Sequence, residues 1–317
     1  MIAWMSIRFT AAVVAAFAFL CACIPGGAQT LTPLHVVTTP TDTGAQVYYA
    51  IDEGFFKKAG FDVTVDAINS GAAIANAVTG GTYDIGQTSV AALAIAHDRG
   101  IPYVVIAPGA AYTSKTPTSE LLVSATSSIR TASDLTGKTI AVVGLKGLTQ
   151  LAVQAWLEQN HVPSSGVKFI ELTFNEMPAA LAANRIDAAF VAEPALDRAR
   201  QGGARIIGHP YDAVASNFLV GAWFTTRDYA QRNADVIRRF RSGLETAAVY
   251  ANAHPKEMAQ YIAPFTGIDE AKLRQWTRAQ VATTPIVPAD IQPVIDVAAK
   301  YRFIDKPFPA SEIIFAG

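Results

Sequence analysis

The 317-residue chain is 51% hydrophobic and 16% charged, with 22 Gly, 17 Pro and 2 Cys, proportions that exclude a disordered, collagen-like or disulfide-stapled protein. Its 25 Lys and Arg are balanced by 26 Asp and Glu, so no basic surplus exists to displace counterions from a nucleic acid. The length suits two domains, each with its own core, and a binding cleft between them.

The first element is an export signal. Arg8 is the one charged side chain before Asp42, and an apolar run over residues 9–20 follows it, ahead of Ile24-Pro25-Gly26-Gly27-Ala28-Gln29. This is the pattern of a secretory signal peptide over 1–28, and the run is too short to span a membrane. Gly26 and Ala28 place cleavage before Gln29. A rival reading takes Leu20-Cys21-Ala22-Cys23 as a lipoprotein box with Cys23 lipidated. Both cysteines lie in this segment, so the chain from Gln29 has no thiolate chemistry, Cys-bound zinc or disulfide. No later stretch has the ~18 apolar residues of a span, and a periplasmic location is expected.

Strands and helices alternate beyond the signal. A strand at 36–38 runs through Pro40-Thr41-Asp42-Thr43-Gly44 into an amphipathic helix at 45–52. A turn at 54–61 precedes the alternating strand 62–66, and Asn69-Ser70-Gly71 opens a second helix ending at Gly80-Gly81. A short strand at 84–86 leads to Gln87-Thr88-Ser89, which caps a third helix ending near Gly100, before a strand at 103–107. The plan then recurs: strand 139–143, loop Gly144-Leu145-Lys146-Gly147-Leu148, helix 149–160, strand 167–172. Such alternation predicts a parallel α/β sheet. Past Thr226 the pattern predicts helices only, at 228–253, 256–262, 269–281 and 291–301, a tail packing back on the first lobe. Segments 120–124 and 217–224 read either as hinge crossings between lobes or as plain loops, with turns near Pro117 and Gly221.

Catalytic motifs are missing. Gly137-Lys138-Thr139 precedes a strand and is a turn, not a phosphate loop. The five histidines, His35, His97, His161, His209 and His254, stand singly. Asp84 and Asp187 sit where helix-to-strand turns explain them. No metal or cofactor is expected. What stands out is four loops, at 41–46, 69–72, 87–89 and 144–149, each following a strand and opening a helix. Their N–H groups would converge on the carboxyl edge of the sheet, where open α/β sheets bind ligands and helix dipoles favour an anion. Capping alone accounts for any one of them. Lys146 either pairs with an anion or is solvated. Glu193-Pro194 is either the charged start of a helix or an acceptor for an amine-like ligand group. Tyr112, Phe174 and Trp223 are core residues or stacking partners for a ring.

Asp52-Glu53-Gly54-Phe55-Phe56-Lys57-Lys58-Ala59-Gly60-Phe61, Gly80 ahead of Asp84-Ile85-Gly86, Ser133-Asp134-Leu135 with Gly137-Lys138, and Arg185-Ile186-Asp187-Ala188-Ala189 with Glu193-Pro194 occur in this order. Together with the signal peptide they resemble the substrate-binding proteins of ABC importers for nitrate, sulfonate, taurine and thiamine-pyrimidine precursors, over nearly the whole exported chain. The resemblance implies a type II periplasmic binding fold. Lobe 1 would comprise 29–120 and 221–317, with the helical tail, and lobe 2 would comprise 121–220. It also implies a monomer that closes on a small polar or anionic ligand and docks on a membrane permease. The implied pocket draws on Thr43, Gln46, Asn69, Ser70, Thr88, Ser89, Lys146, Thr149, Asn175 and Glu193, with Tyr112 beside it. Many sulfonate-type relatives carry an aromatic residue and Asp where this chain has Ala192-Glu193, so no particular ligand follows. Two alternatives remain: an enzyme like the fungal thiamine-pyrimidine synthases, which use a Cys this chain lacks after export, and a sensor module for a membrane receptor.

Overall fold

The computed structural model describes residues 30–266, 268–276, 278–283 and 285–317. The signal peptide and Cys23 readings lie outside these residues. The chain from Leu31 forms one compact unit, beginning with β1 (Thr32–Thr38), a 3-10 turn at Asp42–Gly44, α1 (Gln46–Asp52), α2 (Phe55–Lys58), β2 (Phe61–Ala67), α3 (Gly71–Thr79), β3 (Ile85–Ser89), α4 (Val90–Asp98) and β4 (Tyr103–Pro108). Next come β5 (Ala110–Thr113), β6 (Ser119–Val123), β7 (Thr139–Val142), α5 (Leu148–Gln159), β8 (Lys168–Glu171), α6 (Met177–Ala182), β9 (Ala188–Ala192), α7 (Ala195–Gln201) and β10 (Arg205–Gly208). The last stretch holds β11 (Asn217–Leu219), β12 (Gly221–Thr226), α8 (Arg227–Arg232), α9 (Ala234–Ala253), α10 (Ala259–Thr266), α11 (Glu270–Leu273), β13 (Gln280–Val281) and α12 (Gln292–Lys300).

Two five-stranded sheets carry the two lobes, in the orders β2-β1-β3-β12-β4 and β10-β6-β9-β7-β8, and a small third sheet runs β11-β5-β13. Period-two alternation builds a core on each face of both large sheets. Leu34, Val36, Val104, Ile106 and Trp223 point under α1, α2 and α9, where Phe56 stacks on Phe240 with ring centroids 5.2 Å apart. Their neighbours Val37, Val105 and Phe224 face the other way, into a core that continues through Leu121, Ile140 and Phe190 of the second sheet. Leu122, Ala141 and Val191 close the outer face of that sheet beneath α6 and α7.

Five expectations need correction. Both large sheets are mixed and not parallel: β12 runs antiparallel to β3 and β4, and β6 antiparallel to β9 and β10. A parallel neighbour needs a helical crossover, and β6 and β12 are each preceded by another strand without one. Segment 120–124 is therefore a sheet strand and not a free crossing. The helix expected over 228–253 breaks at Asn233, whose side-chain amide donates to Tyr229 O at 3.0 Å. The helix expected over 269–281 stops at Leu273, and β13 then pairs with β5. Asp42 accounts for this: its carboxylate accepts the Ala279 N–H at 2.6 Å and pairs with Arg278, which removes those groups from a helical ladder. Ile314 adds a parallel bridge to Val105, so strand pairing persists past Thr226.

Candidate functional site

A cavity of about 420 Å³ lies between the two large sheets. On the side of the first sheet, its wall begins at the loop 39–43. Thr39 Oγ1 donates to Gln87 Oε1 at 3.2 Å and hydrogen bonds link Thr39 to Thr41 and Thr41 to Thr43. Gly44 folds this loop so tightly that a Cβ there would lie 2.1 Å from Thr39 O. The wall continues with the starts of α3 and α4. Ser70 Oγ accepts from Ala73 N and Ser89 Oγ from Ala92 N, both at 3.3 Å, so these helix N-termini carry side-chain caps.

The wall formed from the second lobe differs. No side chain caps α5, whose N-cap is Gly147, and the first N–H groups of a helix have no intrahelical acceptor. Thr149, in the first turn of α5 and only 4% exposed, has an Oγ1 that is buried without a hydrogen-bond partner among the described residues. Lys146, just ahead of this helix, holds a left-handed φ of 57° and donates its N–H to Gln150 Oε1 at 2.7 Å. A non-glycine residue held there is strained, a condition that concentrates at ligand sites. The Leu145 N–H donates to Glu171 Oε2 at 3.1 Å, steadying the loop. Lys146, Thr149 and the uncapped start of α5 thus line the same wall of the cavity, an arrangement that suits an oxyanion.

Eight of the sequence-derived candidates line this cavity: Thr43, Asn69, Ser70, Thr88, Ser89, Lys146, Thr149 and Asn175. Three are held elsewhere. Gln46 is 2% exposed, accepting from Trp223 Nε1 at 2.8 Å and donating to Leu244 O at 3.1 Å, so it ties α1 to β12 and α9. Tyr112 is buried against Tyr211 and Phe218 and donates to Asp212 Oδ1 at 2.8 Å. Glu193 is 6% exposed and accepts the Asp197 N–H at 3.1 Å, as a cap on α7 does, while the next residue, Pro194, reaches the cavity wall. Asn175 is engaged by Arg198 at 2.7 Å. Phe174 lines the cavity, whereas Trp223 is core. Sequence reasoning missed Thr39, Glu171 and Tyr211 as lining residues, and placed Gln87 in a converging loop without naming it as a contact; only the run of threonines in 38–43 hinted at the first. Among the described residues no cluster of three or more His, Cys, Asp or Glu could hold a metal.

The model of the "NMT1/THI5 like" family matches residues 43–258, more than half of the chain. The chain belongs to the NMT1/THI5-like family. This NMT1/THI5-like chain is 25% identical over 241 residues to the taurine-binding periplasmic protein of Escherichia coli K12, covering 74% of the chain and 73% of that protein. Its fold resembles the crystal structure of the periplasmic aliphatic sulphonate binding protein SsuA from Escherichia coli, with a TM-score of 0.73 at 18% identity, over 89% of this chain and 92% of that one. The desulfurization enzyme DSZB shares the fold, with a TM-score of 0.65 at 13% identity, over 89% and 96%. The architecture is therefore the periplasmic binding protein fold, and it hosts both binding proteins and an enzyme. The family match takes in both walls of the cavity from Thr43 onward and leaves out Asp42 and Arg278.

Proposed function

We propose that this protein is the periplasmic solute-binding component of an ABC importer, capturing a small organic anion between its lobes and passing it to a membrane permease. The observation that carries this reading is the uncapped start of α5, with buried Thr149 Oγ1 unpartnered and Lys146 alongside, facing the capped starts of α3 and α4 across one cavity. The taurine-binding relative supports an anionic head group. We assign lobe 1 to 29–120 and 221–317, and lobe 2 to 121–220; the presence of two large sheets supports a two-lobed reading, although β6 of the second sheet begins at Ser119, ahead of that boundary. Binding by a monomer, and no catalysis, is the reading favoured, and the lack of any histidine or cysteine among the described residues lining the cavity supports it. No described helix is long and apolar enough to cross a membrane.

Calorimetric titration of the purified protein with taurine, ethanesulfonate, acetate and nitrate tests the proposal. At least one anion should bind, and Lys146→Ala should weaken it by about 10-fold or more, since a hydrogen bond to a charged group contributes about 1.5–3 kcal/mol. Binding indifferent to Lys146→Ala, or confined to cations and neutral solutes, would overturn the anion assignment.

A further inference from the structure

The described residues that line the cavity include few formal charges: Arg99, at the C-terminal end of α4, and, on the second lobe, Lys146 and Glu171. Glu171 is the last residue of β8, which pairs in parallel with β7 and sets Glu171 opposite Val142. That register brings the carboxylate to the loop that follows β7. There Oε2 accepts the Leu145 N–H at 3.1 Å, one residue before Lys146. Glu171 is exposed, and neither it nor Lys146 is in an ion pair among the described residues. Both charges therefore act on whatever occupies this end of the cavity.

A loop that only needs steadying can be held by a neutral acceptor, and the next N–H along is held that way, by the Gln150 amide oxygen at 2.7 Å. A carboxylate in the wall of an anion site also repels the ligand. Lys146 contributes one positive charge and the start of α5 about half of one, and Glu171 cancels the larger of the two. We infer that Glu171 sets the charge of the anion accepted here, admitting monoanions and rejecting dianions such as sulfate. This rests on the reading of the cleft as an anion site and adds a specificity-determining residue to it. A sulfonate and a sulfate can present the same three-oxygen face to the α5 start, so hydrogen bonds separate them poorly and net charge separates them well. Coulomb energy scales with the charge of the ligand. The factor by which Glu171 weakens a dianion is therefore the square of the factor by which it weakens a monoanion at the same place.

The test is calorimetric titration of the purified protein with ethanesulfonate, nitrate and sulfate, sulfate being read directly or by competition with a bound monoanion. Glu171→Gln keeps an acceptor for the Leu145 N–H, so the loop stays held while the charge is removed. It should tighten the monoanion about 5-fold and sulfate about 25-fold. Gln150→Glu likewise keeps its acceptor for the Lys146 N–H but adds a carboxylate, and should weaken both anions in the same squared relation. Equal factors for the two charges, or weaker binding of both by Glu171→Gln, would overturn the inference and leave Glu171 a tether of the loop. Sulfate bound by the parent as tightly as the monoanion would overturn it too, while sparing the cleft. Failure of all three anions in the parent and in both variants would overturn the cleft reading and the role of Glu171 with it.

Discussion

Burial pushes the Glu193 carboxyl up to about 7 from its ordinary 4.5, a rise that the Asp197 N–H partly offsets and the Asp197 carboxylate reinforces. The folded state then holds this proton more tightly than the unfolded state. Its stabilisation is complete below about pH 4.5 and is lost as pH climbs through 7, a change of about 3 kcal/mol. Glu193→Gln should flatten that interval in urea unfolding and leave the variant more stable than the parent above pH 7; parallel curves would refute it. Thr149 gives the opposite pairing of stability and function. Its buried hydroxyl lacks a partner, so Thr149→Val should raise the stability of the ligand-free protein by about 1 kcal/mol and weaken anion binding. A loss of both would mean that the hydroxyl is structural. Not all of this is legible in the sequence. Ser70 and Ser89 can be read from the capping rule, because a cap depends on neighbours three residues away. Gln46 cannot: its amide is turned inward by Trp223, 177 positions along the chain, and no local pattern carries that information.

Elements follow the same division between local and distant causes. β2, α3, α4 and α5 emerge from periodicity within a residue or two, since their apolar faces repeat locally, whereas β1 starts at Thr32, four residues before the expected 36–38. The stretch after α11 does not. Its helical pattern is overridden by Asp42, whose carboxylate takes Arg278 and the Ala279 N–H together while Arg278 also donates to Tyr49 OH at 2.9 Å. Both charges are nearly buried, with side-chain exposures of 11% and 7%. Arg278→Ala would leave the Asp42 carboxylate uncompensated, at a cost of about 3 kcal/mol, read as a lower urea midpoint. Adding Asp42→Asn should recover part of that loss, because the carbonyl of Asn can still accept the Ala279 N–H. Asp42 also sits within the loop that carries Thr41 and Thr43 into the cavity, so Arg278→Ala should weaken ligand binding without touching the ligand. Unchanged stability would show that the pair does not hold the segment.

At the scale of the whole molecule, a ligand shifts an open–closed equilibrium only by its difference in affinity for the two states. Contacts confined to one lobe give no such difference. The cavity draws its wall from both, with Ser70, Thr88 and Ser89 on one side and Lys146 and Thr149 on the other. Closure would bring the α5 start toward a head group already held against α3 and α4. Saturating ligand should therefore contract the protein in small-angle X-ray scattering, and ligand at roughly 100 times its Kd should add about 2.7 kcal/mol to its stability. The Lys146→Ala, Thr149→Val pair weakens the second lobe's share. In that variant the contraction should need a higher ligand concentration, while the radius of gyration without ligand stays at the parent value. Stabilisation without contraction would mean that the cleft is a rigid pocket, and capture would then owe nothing to movement of the lobes.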